Sequence, residues 1–73
     1  MEATVKLSAR NQIPATITSI TEGEAIANIE LDAQGVRLVA SITVEAAHEL
    51  GLADGREVVA VVKASDVMIG TSD

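Results

Sequence analysis

Glu24-Ala25-Ile26-Ala27-Asn28-Ile29-Glu30-Leu31-Asp32 places Ala25, Ala27, Ile29 and Leu31 on one face and Glu24, Asn28, Glu30 and Asp32 on the other. A period of two belongs to a strand that is covered on one side only. Ala33-Gln34-Gly35 follows as a turn, and Val36 to Ile42 repeats the alternation with Val36, Leu38, Ala40 and Ile42 inward. Two apolar residues, Ile26 and Val39, fall on the faces that should be wet. In a chain that associates they are candidate interface residues.

Working outward, Gln12 to Thr21 is rich in Ile and Thr and ends at Glu22-Gly23, as a further strand would. On the other side, Thr43 is placed to cap a short helix over Val44 to Leu50, with Glu45 in its first turn and Gly51 as a left-handed stop before Leu52. Asp54-Gly55 reads as a turn. Glu57 to Lys63 is a strand apolar on both faces, the pattern of one buried between layers or subunits. Met68-Ile69 has the character of a closing strand. The chain is therefore mainly β, with the order β, β, β, short helix, β, β of an OB-like small β-barrel with one short helix.

A length of 73 residues allows one domain, spanning 1–73. A monomer of this size buries a modest share of its surface and usually needs disulfides, a structural metal or association. The chain has no cysteine and a single histidine, His48, while apolar residues make up 48% of it. Disulfides and thiolate zinc sites are thus excluded, one histidine cannot build a histidine-rich site, no metal is expected on direct protein ligands, and an oligomeric assembly is the remaining support. Met1-Glu2-Ala3-Thr4-Val5-Lys6 lacks the pattern of a secretory signal, and no apolar run has membrane-spanning length, so a cytoplasmic location is expected. A net charge of −6 argues against nucleic acid and anionic lipid as partners. The absence of Phe, Tyr and Trp removes the stacking platforms of single-strand binders. A small anion is a different matter, because a few aimed donors outweigh a net field that decays over about 8 Å at physiological salt.

Two runs supply such donors. Ser8-Ala9-Arg10-Asn11-Gln12 lies near the start and Val62-Lys63-Ala64-Ser65 near the end, and together they hold two of only five cationic side chains. Guanidinium, ammonium and hydroxyl donors suit a tetrahedral anion if folding brings the runs together. The same residues have plainer uses: Arg10 and Lys63 as ion-pair partners of the eleven carboxylates, Ser8 and Ser65 as turn formers. Ser-Ile-Thr occurs at 19–21 and again at 41–43, where Thr43 either caps the helix or marks an N-terminus whose backbone N–H groups receive an anion. His48 reads as an exposed helix residue, and Asp54 and Asp66 as turn and cap residues. Nothing assembles a nucleophile with a base, so an enzyme is not expected.

Ser8-Ala9-Arg10-Asn11-Gln12, Ser41-Ile42-Thr43, Glu49-Leu50-Gly51-Leu52 and Val59-Ala60-Val61-Val62-Lys63-Ala64-Ser65 resemble, in order and spacing, the molbindin family of Mop or TOBE-type molybdate-binding domains. The resemblance covers Lys6 to Gly70. It implies an OB-like barrel assembled as a hexamer, a trimer of dimers, that binds molybdate or tungstate between subunits without an organic cofactor. The family's oxyanion-binding residues fall on Ser8, Arg10, Lys63, Ala64 and Ser65, with Thr43 from a neighbouring subunit. Where the family commonly has glycine this chain has Ala15, preceded by Pro14, which departs from any contact there that needs close backbone approach.

The function implied is storage or buffering of molybdate. Two alternatives belong to other classes: a molybdate-sensing module acting with a separate transcription factor or transporter, and a purely structural assembly domain. A donor-only site favours ions without protons at neutral pH, so phosphate, which keeps a hydroxyl hydrogen, is disfavoured. Sulfate must be excluded by its smaller size.

Overall fold

The computed structural model describes residues 6–72; the reading of residues 1–5 as free of a signal lies outside them. Strands β1 (Asn11–Glu22), β2 (Ile26–Ala33), β3 (Val36–Thr43) and β4 (Glu57–Val62) form one antiparallel sheet, and helix α1 (Val44–Glu49) lies between β3 and β4. The spatial order is β3-β2-β1-β4. The first half of β1 is laddered to β4, Asn11 opposite Val62 through Thr16 opposite Glu57, and its second half to β2, Thr16 opposite Asp32 through Glu22 opposite Ala27. A register shift between Ile17 and Ser19 marks the changeover. There the Ile17 backbone turns to the loop before β4, donating to the Arg56 carbonyl (2.9 Å) and accepting from Gly55 N–H (2.7 Å).

The local signals act as their chemistry requires. Gln34 and Gly35 both have positive φ (56° and 92°), the primed two-residue turn whose twist matches the strands it joins. Asp32 Oδ1 accepts from Gly35 N–H at 2.8 Å and secures it. Thr43 Oγ1 accepts from Ala46 N–H at 3.0 Å, the helix N-cap. At the other end Gly51 (φ 64°) lets Leu52 N–H return to the Ala47 carbonyl and Gly51 N–H to that of His48. Arg56 then donates to the freed carbonyls of Leu50 and Gly51 at 2.6 and 2.7 Å.

The inward face carries the alternation expected for β2: Ala27, Ile29, Leu31 and Ala33 are buried, and Leu38, Ala40 and Ile42 of β3 are half-buried against them. Four of the seven buried apolar residues among those described are alanines, so the core is thin. Ile26 and Val39 are about half exposed, at 48% and 51%, on the outer face.

Several expectations are corrected. Ala25 is exposed rather than inward, because residues 23–25 form a turn in which Gly23 N–H bonds the Ile26 carbonyl and the Ala25 carbonyl receives Val44 N–H. Val36 is exposed because it sits on the hairpin rim opposite Ala33. In the single chain β4 is covered on one face only, with Val59 and Val61 exposed. Met68-Ile69 forms no strand. A 3-10 turn over Ala64–Asp66 redirects the chain after β4 and leaves Met68 and Ile69 at 92% and 88% exposure. Without a strand joining β3 to β4 the sheet stays open, so the architecture is mainly β with one short helix but not a closed barrel.

On the outer face Glu30 accepts a hydrogen bond from Ser19 Oγ (2.7 Å) and pairs with Arg37. The Ser19 bond first, then the bond and charge of Arg37, hold its carboxyl below the usual carboxylate range. A lowered folded-state pKa favours the ionised form on folding. Its stabilisation is present above the pKa of the unfolded chain and is lost as pH falls through the folded value. In thermal melts across acidic pH, the stability gap between the native protein and Glu30→Gln should therefore be largest near neutrality and shrink as pH falls. A gap independent of pH would contradict the network.

Candidate functional site

The β1–β4 ladder ends at the rung Asn11–Val62. The run Ser8–Arg10 enters the ladder on one side of this rung and Lys63–Ser65 leaves it on the other, so residues more than fifty positions apart in sequence meet at one end of the sheet. Asn11 Nδ2 donates to the Val62 carbonyl at 3.1 Å across the rung. Gln12 Nε2 donates to the Ala9 carbonyl, also at 3.1 Å, and ties the entering run to β1. Lys63 is extended (φ −66°, ψ 137°), and its carbonyl accepts from Asp66 N–H at 2.8 Å to start the 3-10 turn that carries Ala64 and Ser65. Ser8, Arg10, Lys63, Ala64 and Ser65 are all exposed.

Apart from Lys6, which is exposed before the first strand, the cations divide into two groups. Arg37 is engaged by Glu30, and Arg56 by the helix-end carbonyls. Arg10 and Lys63 form no ion pair among the described residues, although acids outnumber bases eleven to five. An exposed guanidinium and ammonium that no carboxylate pairs among the described residues, at one end of an acidic chain, are chemically suited to an incoming anion.

Thr43 is not part of this cluster. It ends β3 opposite Ile26, at the end of the sheet where Glu22 pairs with Ala27, while the cations stand at the Asn11 end. Roughly 35 Å of β1 contour separates the two ends. The recess beside Thr43 is lined by Glu24, Glu45, His48 and Glu49. Two first-turn N–H groups are already taken, Val44 by the Ala25 carbonyl and Ala46 by Thr43 itself, the latter being the capping role expected of Thr43. The Thr43 hydroxyl accepts the capping bond and keeps its own proton to donate. His48 is exposed, as its position implied, and its Nε2 lies 2.8 Å from Glu22 Oε1, a partner 26 positions away. Ala15 is buried opposite Val58, and the shallow recess around Pro14 and Thr16 is lined by Asp32 and Glu57, a poor setting for an anion. No group of three or more His, Cys, Asp or Glu suited to a metal ion occurs among the described residues.

The TOBE domain model matches residues 7–69. The chain belongs to the TOBE domain family. A probable molybdenum-pterin-binding protein of Haemophilus influenzae is 37% identical over 67 residues, covering 90% of this chain and 97% of the relative. Among solved structures, a molybdate-binding protein of Sporomusa ovata superposes with a TM-score of 0.88 at 37% identity, over 92% of this TOBE chain and all of the other. The cytoplasmic molybdate-binding protein ModG, solved with molybdate bound, superposes with a TM-score of 0.78 at 44% identity, and this chain spans 43% of its length. These named relatives are binding proteins.

The capping bond of Thr43 has a measurable weight of its own. Thr43→Ala should lower the stability of the protein by about 1 kcal/mol, read from denaturant or thermal unfolding. Thr43→Ser, which keeps the hydroxyl, should lose much less. Equal loss in both variants would remove the cap from the account.

Proposed function

We propose that this TOBE chain binds molybdate, or tungstate, as the intact oxyanion in sites shared between subunits of a cytoplasmic homo-oligomer, and serves to store or buffer it without catalysis. The observation that carries the proposal is the placement of Arg10 and Lys63, which form no ion pair among the described residues, at the end of the β1–β4 ladder. Ser8, Ala64 and Ser65 complete one half of the site through hydroxyl and backbone donors, all able to serve an ion that only accepts. Thr43, at the opposite end of the sheet, joins only from another copy of the chain.

The names of the relatives offer two ligands, a molybdenum-pterin and molybdate. A pterin is a flat heterocycle that asks for stacking surfaces, and this sequence has no Phe, Tyr or Trp. Its one imidazole is engaged by Glu22 at the other end of β1. The chemistry at hand is that of an oxyanion site.

A single TOBE unit supports the proposed assembly by what it leaves uncovered. Val59 and Val61 stand exposed on β4, Ile26 and Val39 on the outer face, and the open sheet has a largely apolar cleft lined by Leu31, Leu38, Leu52, Val58 and their neighbours. So much apolar surface on so small a chain favours burial between copies, and a hexamer built as a trimer of dimers closes without leaving an open edge. Light scattering at micromolar concentration should give a six-chain mass, and a stable folded monomer there would overturn the shared site.

In calorimetry the native protein should take up molybdate and tungstate nearly alike, with phosphate failing to displace either at comparable concentration. Arg10→Ala and Lys63→Ala should each weaken binding by about ten-fold or more, since a hydrogen bond to a charged group contributes about 1.5–3 kcal/mol. Both should keep the assembled mass. Unchanged affinity in the two variants would place the site elsewhere.

A further inference from the structure

We infer that Asn11 and Gln12 are positioning residues that set the spacing of the anion-binding donors, and with it the size of oxyanion that the site accepts; this rests on the oxyanion site proposed above. Beyond the Asn11–Val62 rung neither Ser8–Arg10 nor Lys63–Ser65 belongs to a strand, so the sheet itself does not hold them. Two side-chain hydrogen bonds brace the points where these runs leave the sheet, and both arrive at equivalent places. Asn11 Nδ2 bonds the Val62 carbonyl, and Gln12 Nε2 bonds the Ala9 carbonyl. A peptide unit is planar, so fixing a carbonyl fixes the N–H and Cα of the next residue. The residue after Val62 is Lys63, and the residue after Ala9 is Arg10. Each carboxamide therefore orients the peptide from which one of the two cations springs, and both carboxamides come from adjacent positions on the same strand.

The direction of these bonds is fixed by chemistry. A carbonyl oxygen only accepts, so the amide nitrogen must face it, and a carboxylate at either position could not replace the bond. Asn11 is half-buried and Gln12 exposed, neither carries charge, and each amide nitrogen is engaged by a backbone carbonyl, so the effect inferred on an anion is geometric. Donors held at a fixed spacing match an ion with long metal–oxygen bonds and reach a smaller one poorly, whereas donors on slack segments close around either. Loss of the bracing should thus cost molybdate more than sulfate.

The test uses the full-length protein and competition calorimetry with molybdate and sulfate on the native chain, Asn11→Leu and Gln12→Met. These substitutions keep approximate side-chain size and remove the donor. Each variant should bind molybdate about three- to ten-fold more weakly, the scale of one neutral hydrogen bond, and sulfate with a smaller loss, so that the preference narrows. Light scattering and melting temperature should stay near the native values. Gln12→Met, being at an exposed position, keeps the test intact if Asn11→Leu disturbs the strand end. Native affinity and preference in both variants would overturn the inference while leaving the oxyanion site standing. So would an equal loss for both ions, which reports general loosening rather than spacing. A native protein that takes up no molybdate would overturn the proposed function and this inference with it, and is seen before any variant is made.

Discussion

The double pairing of β1 is the constraint on which the molecule depends. Its first half is laddered to β4 and its second half to β2, with the register shift after Ile17 between them. Through that single strand the hairpin β2–β3, the helix and β4 become one body. The pairing also has a polarity. The Asn11 end collects the two runs that carry Arg10 and Lys63, and the Glu22 end collects Thr43, His48 and several glutamates. A slip of one residue in the β1–β4 ladder would invert every side chain of β4 relative to the core and move Lys63 off the rung that Asn11 closes. The register that turns Val58 and Ala60 toward the core is therefore the same register that builds the cationic end.

Charge is distributed along this axis to the same effect. The chain is strongly acidic, yet Arg37 and Arg56 are engaged by Glu30 and by backbone carbonyls well away from the Asn11 end. Glu24, Glu45 and Glu49 stand around α1 at the far end. At physiological ionic strength their repulsion of an anion decays over about 8 Å, a small fraction of the length of β1. Arg10 and Lys63 can thus face an anion with little interference from these glutamates, and Asp66, in the 3-10 turn beside Ser65, is the acid that stands at their own end. The acidity then serves solubility without opposing local binding.

What was legible in the sequence was local. The alternation in Ala27-Asn28-Ile29-Glu30-Leu31 is a property of consecutive residues, as are the Thr43 cap and the Gly51 stop, and the structure has each of them. Arg10 and Lys63 stood out because cations are few, but their meeting depends on a ladder between segments some fifty residues apart, which no local pattern encodes. The carboxamides of Asn11 and Gln12 were visible only as part of a family-like string, since their roles lie in the carbonyls they reach. Glu22 as the partner of His48 is non-local in the same way. Met68-Ile69 misled for the opposite reason. Two apolar residues have strand character, but a strand exists only where an edge is presented to it, and the 3-10 turn after Lys63 carries them away from β4.

The thin core links stability to the proposed function. With alanine at Ala15, Ala27, Ala33 and Ala47, the buried face contributes less hydrophobic stabilisation than a leucine-rich core of equal count, because the area removed from water scales with side-chain size. Apolar groups that could have filled such a core instead lie exposed at Val59, Val61, Ile26 and Val39. In the proposed assembly these groups are buried between copies, and Thr43 of one copy is carried toward the Arg10 and Lys63 of another. An anion held by both copies then binds the associated state and not the separated one, so it stabilises association by an amount that grows with the logarithm of its concentration over its dissociation constant. Binding and assembly become one equilibrium. A small, cysteine-free chain can in this way draw part of its stability from the ion that it binds.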